Sequence, residues 1–435
     1  LFALMIPLVV EQLLSMLVGM VDSIMIASVG EAAVSGVSLV DNVMLLIITI
    51  FSALATGGAV VAGQYLGQKN TKKARQASGQ LVWFIGICSI GIMAVIYVIK
   101  PFILNTVFGS ISADVAGHAN TYLMIVTASV PFIAIYNGGA AVFRTMGNSQ
   151  ITMKVSIIMN LINVVGNAIC IYGLHMGTAG VAIPTLISRM AAAVIIIVLL
   201  LNRKYELALE RTWSYRPNWG MVKKILGIGI PNGMENGMFQ LGKLILLSLV
   251  STFGTAAITA NAITGVIASL AVLPGMAISL GVTTVISRCV GAGDYEQAKY
   301  YNRKLLSITY IAMWLMNAAI LLLLPVFLSL YNLSDVTAGL PRSLIIFHTM
   351  GAVVVWPSAF VLPATFRAAG DAKFTMLVSI SSMWVFRLGM GFILGKFVGL
   401  GVLGVWMAMI VDWIFRTIVF AWRYFSGKWK NRRVM

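Results

Sequence analysis

The chain has 435 residues, 60% of them hydrophobic and only 10% charged, with a formal net charge of +17. A soluble chain of this length needs far more charge to cover its surface, so the totals exclude a soluble globular protein. The basic excess gathers into no soluble domain: Lys and Arg sit in short polar breaks between apolar runs, which argues against a nucleic-acid partner.

Apolar runs of about 20 residues are long enough to cross the hydrocarbon core as helices. Twelve are predicted, near 3–29, 37–66, 77–100, 119–143, 151–173, 177–201, 222–252, 257–287, 302–330, 341–366, 374–396 and 401–425. Gly-rich turns such as "GLHMGTAG" separate the closest neighbours. An even number puts both termini on one side. The breaks on that side, from "GQKNTKKAR" to the tail "WRYFSGKWKNRRVM", hold 23 Lys and Arg, whereas the opposite breaks hold only Lys100, Arg342 and Lys396. Positive residues favour the cytoplasmic face, so both termini are expected in the cytoplasm of a multi-pass protein of the cell (inner or plasma) membrane. The chain opens on Leu1 rather than Met, which reads as a few residues missing from its start, and no cleavable signal pattern is visible.

Cys88, Cys170 and Cys289 are scattered singly and read as small apolar residues rather than a disulfide framework. The three histidines are far apart, so no zinc or haem motif is present and no cofactor is expected. No G-x-x-x-x-G-K-[ST] motif occurs, which excludes an ATP-driven pump within this chain. No paired acids with a histidine and no nucleophile elbow support a membrane enzyme.

The chain repeats itself at an offset of 223 to 224 residues. "FRTMGNSQITMKVSI" from Phe143 returns as "FRAAGDAKFTMLVSI" from Phe366, and "IPLVVEQ" from Ile6 returns as "IPNGMEN" from Ile230. Pro7 thereby matches Pro231 and Glu11 matches Glu235. "GEAAVSG" from Gly30 matches "GTAAITA" from Gly254, and "GTAGV" from Gly177 matches "GVLGV" from Gly401. Such repeats in one register predict two halves of six spans, related by an axis along the membrane normal, a plan that secondary transporters use. The expected division is an N-lobe over 1–201, a charged cytoplasmic linker over 202–224 and a C-lobe over 225–435 with a basic tail. No filter motif of a channel is visible.

With its 6+6 spans, "GQYLGQKNTKKAR" after span 2, "FR..G" after spans 4 and 10, "NVVGNAICIYG…GVAIPT" across spans 5 and 6, and "WVFRLG…GLGVLGVW" across spans 11 and 12, the sequence resembles the multidrug and toxic compound extrusion (MATE) family. The resemblance covers essentially the whole chain. It implies an all-α polytopic membrane protein, twelve transmembrane helices in two parallel-related six-helix lobes forming a V around a central cleft. Such lobes alternate access and exchange organic, often cationic and amphiphilic, compounds for H⁺ or Na⁺. An alternative within the same superfamily is a flippase or exporter of a lipid-linked or endogenous metabolite. Only Arg189, Lys243, Arg387 and Arg416 are embedded cations, which argues mildly against a phosphate-handling cavity. The expected partners are small-molecule substrates and the bilayer, with the chain acting as a monomer.

Five acidic residues lie within the spans: Glu11, Asp22, Asp41, Glu235 and Asp412. Ionisable groups in a membrane are costly and mark functional sites. Glu11 and Asp22 are three helical turns apart, on one face and about 16 Å apart along the axis. Asn163 and Asn167 share a face of span 5, Thr185 sits on span 6 and Asn137 on span 4. Converging on Asp22, these would form an oxygen-rich pocket with one negative charge, suited to Na⁺ or a proton. The competing reading is that the amides and hydroxyl only join helices. The resemblance implies a cation site on Asp22, Asn163, Asn167 and Thr185, with Asn137 a looser match. One branch of the family has a second sodium site in the C-lobe; here the corresponding positions are Phe239 and Trp356, so that site is expected to be absent. Glu235 either faces the cleft and attracts cationic substrate or pairs with Arg387. Glu11, Glu235, Gln240, Trp356 and Arg387 are the substrate or cleft candidates, and Asp41 and Asp412 read as span-end or paired groups.

Overall fold

A computed structural model describes residues 1–109, 111–211, 214–331 and 338–434, and among these residues the regular structure is helical, with no strand. In the first half the helices are α1 (Phe2–Ala27), α2 (Glu31–Gly67), α3 (Thr71–Val107), α4 (Ala113–Thr127 and Val130–Thr145), α5 (Ser149–Gly173) and α6 (Ala179–Leu200). In the second half they are α7 (Trp219–Ser251), α8 (Thr255–Gly291), α9 (Tyr295–Leu322), α10 (Gly339–Val354 and Trp356–Ala368), α11 (Ala372–Phe397) and α12 (Val402–Ser426). Each predicted span thus has its helix. Nine of these helices are long and apolar enough to cross a membrane, and the bent α4 and α10 bring the number to eleven among the described residues. The twelfth, α7, forms as a helix but is too polar to qualify, because Asn232, Glu235, Asn236, Gln240 and Lys243 interrupt it.

The repeat is visible in the backbone. The fourth helix of each half is the bent one, by 47° in α4 and 68° in α10. Prolines just after the breaks, Pro131 in α4 and Pro357 in α10, lack the N–H that a continuous helix would use there. Repeated glycines mark turns that need left-handed backbone: Gly177 has φ of 67° and Gly401 of 66°. Such a φ strains any side chain with a Cβ, which is why both positions read as glycine in the sequence. α5 ends in a π-helical stretch, Ile169–Gly173, and α11 ends in its counterpart, Ile393–Phe397, 224 residues on. α11 has a further π-helical stretch, Met383–Gly389, for which α5 has no equivalent. Immediately before it, from Phe143 and Phe366 onward, the repeat offset is 223 (Ser156 and Ser379); after it the offset is again 224 (Gly177 and Gly401). One extra residue in a helix is accommodated as a π-bulge, and such bulges often lie at functional sites.

The chain divides into two compact units, Leu1–Gly233 and Met234–Met435, so the boundary falls inside α7. The opening turns of α7 belong to the first unit because they lie directly on α2. A Cβ on Gly57 would sit 2.5 Å from the Ile225 carbonyl and 2.8 Å from the Gly229 nitrogen, so only glycine permits this approach.

The described part of the charged 202–224 segment is also fixed to the first unit. Gln80 of α3 donates to the Arg216 carbonyl (3.0 Å) and accepts from the Tyr215 hydroxyl (2.9 Å) and the Asn218 amide (3.1 Å). Trp83 stacks on Tyr215 at 5.6 Å, Arg75 Nε donates to the Glu206 carbonyl at 2.7 Å, and Leu207 is fully buried. Burial also raises the pKa of the Tyr215 phenol above its ordinary value. Gln80→Ala removes three hydrogen bonds, each worth about 1 kcal/mol net. Trypsin cleavage at Arg211 in vesicles should then accelerate about tenfold or more if opening limits cutting; an unchanged rate would show that Gln80 does not hold the segment.

Candidate functional site: the embedded carboxylates

Asp22 lies near the end of α1, half-buried, with α5 beside it. Asn163 Nδ2 donates to Asp22 Oδ2 at 3.0 Å and Asn167 Nδ2 to Asp22 Oδ1 at 2.6 Å. The two amides reach one carboxylate because they are four residues apart and share a helix face. The Thr185 hydroxyl, on α6, points at Asn163 Oδ1 (3.3 Å) and at its own helix's Val181 carbonyl (2.9 Å). The structure thus brings four predicted residues together. Asn137 makes no hydrogen bond to Asp22; its Nδ2 is buried without a partner. Asn167 Oδ1 is also buried and unpartnered. A half-turn of either amide exchanges nitrogen for oxygen, turning a set of donors on the carboxylate into oxygen ligands for a hard cation.

Asp41 accepts from the Tyr122 hydroxyl at 2.8 Å, joining α2 to α4. Arg189 of α6 donates to Ser129 Oγ at 2.8 Å and bears electrostatically on both Asp22 and Asp41. Neither Asp41 nor Arg189 stood out in the sequence as a neighbour of Asp22.

Glu11 and Glu235 are both held by arginines. Glu11 is 5% exposed, ion-paired to Arg144 at 3.1 Å and within 3.4 Å of the Tyr136 hydroxyl. Glu235 pairs with Arg367 at 3.4 Å and accepts from Ser379 Oγ at 2.8 Å. The partner of Glu235 is therefore Arg367, not Arg387. The reason is the repeat itself: Arg144 and Arg367 are the arginines of the two "FR" motifs. Each half ties its first helix to the end of its fourth in the same way. The sequence held the signal, since acid and arginine recur at offsets of 224 and 223, but the two recurrences were read separately.

The other predicted residues gather in the second unit. Trp356 stacks on Phe360 at 5.2 Å and is 6% exposed; Phe239 meets Phe360 edge-on at 6.2 Å. The Arg387 guanidinium lies 5.2 Å from the Phe239 ring centre. Gln240 is half-buried and has no described polar contact. Asp412 is fully buried, bound to Arg416 Nε at 3.0 Å and to the Ser382 hydroxyl.

A family model, MatE, matches residues 7–169 and again residues 231–393. The chain belongs to the MatE family. The second match begins 224 residues after the first (231 − 7), which is the offset of the internal repeat. "Uncharacterized transporter YisQ" of Bacillus subtilis is 28% identical over 435 residues, covering 99% of this chain and 94% of the relative. "Probable multidrug resistance protein NorM" of Thermotoga maritima is 27% identical over 444 residues, covering 100% and 94%. A solved outward-facing "multidrug resistance MATE family transporter of the MOP superfamily" superposes with a TM-score of 0.90 at 21% identity, over 99% of this chain and 95% of that one. The fold is that of solved MATE transporters, twelve helices in two six-helix lobes. This MatE chain is accordingly a multi-pass membrane transporter and not an enzyme.

Breaking a buried ion pair by removing one partner costs about 3–5 kcal/mol, because the other charge is left uncompensated. Arg144→Met should therefore lower the melting temperature of the detergent-purified MatE protein sharply. Adding Glu11→Leu should restore much of the loss. A double variant as damaged as the sum of the two singles would show that the pair is not coupled.

Proposed function

We propose that the chain is a secondary active exporter that exchanges organic compounds for H⁺ or Na⁺, with coupling at Asp22. One observation carries the reading: the Asp22 carboxylate is held by two neutral amides, and among the described residues no Lys or Arg lies at ion-pair distance from it. Glu11, Glu235 and Asp412 each have an arginine, so their charge is already answered. Asp22, like the nearby Asp41 that the Tyr122 hydroxyl binds, is left to be neutralised by something that comes and goes. A bound proton or Na⁺ does this, with Asn163, Asn167 and Thr185 as the remaining oxygen donors, and Asn137 is assigned no ligand role.

Ion binding and cargo binding then bias one bistable bundle in opposite directions, which is sufficient for exchange. The multidrug names of the relatives support organic compounds as the cargo. The segregation of Lys and Arg supports cytoplasmic termini and residence in the cell membrane, and a single chain carries both halves, which supports a working monomer.

Asp22→Asn keeps the hydrogen-bonding shape and removes the titratable charge. Ion-driven efflux of a cationic dye from cells at equal expression should fall about 5- to 150-fold, the range of a 1–3 kcal/mol coupling; unchanged efflux would remove Asp22 from the mechanism. In inverted vesicles, a proton gradient or a sodium gradient imposed alone identifies the ion. For the topology, a fluorescent protein fused to the C-terminus should mature to full brightness and an alkaline phosphatase fusion should be inactive. The reverse pattern would place the terminus outside.

A further inference from the structure

The two halves share a backbone, yet one site has opposite chemistry in each. Counting on by 224 residues, Asp22 falls on Leu246, Asn167 on Gly391 and Asn163 on Arg387. The contact itself is conserved in geometry: a Cβ on Gly391 would lie 3.2 Å from Leu246 Cδ2, where Asn167 and Asp22 are hydrogen-bonded in the first half. The carboxylate has become a leucine and an amide has become an arginine. Arg387 sits in the Met383–Gly389 π-helical stretch, the one-residue insertion peculiar to the second half.

Around Arg387 the charge is predominantly positive. The Phe239 ring has Arg387 at 5.2 Å, Lys243 at 5.6 Å and Arg416 at 5.8 Å from its centre. Asp412 is a carboxylate bound to this group: Arg416 Nε takes its Oδ1, its Oδ2 has no hydrogen-bond partner, and it also bears electrostatically on Arg387, so one carboxylate faces three cationic side chains. Arg416 also donates to the Ser379 carbonyl at 3.1 Å and is buried. Arg387 is half-buried, its Nε is buried without a hydrogen-bond partner, and no ion pair is described for it or for Lys243. Lys243 is exposed, so the group runs from a committed arginine inside to an accessible lysine. Ring faces attract cations weakly and do not replace an anion. A guanidinium with free N–H donors and a nearby ammonium is the arrangement that holds carboxylates and phosphates, and Phe239 and Phe360 supply apolar surface beside it.

We propose that the second unit carries an anion-binding site, formed by Arg387, Lys243 and Phe239, that takes the acidic group of an amphiphilic organic anion: a carboxylate, sulfonate or phosphate on an apolar body. As a cargo site it rests on the exporter reading; as a binding site it stands without it. Arg416 and Asp412 form its neutral floor.

Two xanthene dyes of similar shape and opposite charge test this: fluorescein and rhodamine 123, measured by fluorescence polarisation on the full chain in phosphatidylcholine nanodiscs. Fluorescein should bind, and Arg387→Gln or Lys243→Gln should weaken it about tenfold or more, while Arg387→Lys retains most of the affinity. Rhodamine 123 binding should be unchanged in all three, which also reports an intact fold. Unaltered fluorescein affinity in the Arg387→Gln/Lys243→Gln double variant, or equal loss of both dyes, overturns the proposal. Phosphatidylglycerol in the nanodisc that displaces fluorescein in an Arg387-dependent manner identifies a lipid headgroup as the native occupant; no displacement identifies a free organic anion, and both support the site. If Asp22→Asn leaves dye efflux intact while fluorescein binding still depends on Arg387, the coupling assignment fails and the anion site stands.

Discussion

A charge within the hydrocarbon layer has no water to stabilise it, so each one must be paired, hydrogen-bonded or transiently neutralised. All five embedded carboxylates meet this requirement inside their own unit. Glu11, Glu235 and Asp412 have arginines, Asp41 has a tyrosine hydroxyl, and Asp22 has two amides. The helices are arranged so that these partners meet. α1 reaches α4 through Glu11–Arg144, and α7 reaches α10 through Glu235–Arg367. The difference between a fixed strut and the proposed coupling site then lies in the partner: an arginine settles the charge permanently, whereas an amide leaves it open to an ion.

Duplication gives the molecule one framework with two sets of contents. The struts, the bent fourth helices and the left-handed glycine turns are the same in both halves, because they hold the six-helix packing together. The position of Asp22 is free of that duty, and there the halves diverge to Leu246 and Gly391. The π-helical insertion beside it shifts the register of α11, so the second half can place Arg387 where the first places an amide. Symmetry is kept where packing requires it and lost where chemistry differs.

Much of this was legible in the sequence. Twelve apolar runs were found as twelve helices, since hydrocarbon thickness leaves little freedom in length. Helical spacing put Asn163 and Asn167 on one face, and the family resemblance grouped them and Thr185 with Asp22; Asn137, grouped with them more loosely, does not join them. The partners that escaped lie on helices with no local link to their acid. Arg367 reaches Glu235 from 132 residues away, and Tyr122 reaches Asp41 from 81 residues away. Periodicity says which face a side chain occupies but not which distant helix that face meets. α7 was predicted as a span like the others and forms a helix, although its amides and Lys243 leave it too polar to qualify as a span by composition.

The repeated strut also sets a timetable for synthesis. Glu11 emerges 133 residues before Arg144, and Glu235 emerges 132 before Arg367. At about 5–20 residues per second, each glutamate waits roughly seven to twenty-seven seconds for its arginine. During that interval the first helix of each half carries an unanswered carboxylate, which favours lingering beside the insertion machinery or holding a proton over release into lipid. Each half closes its own account of charge before the chain ends, so the first can be assembled while most of the second is still untranslated.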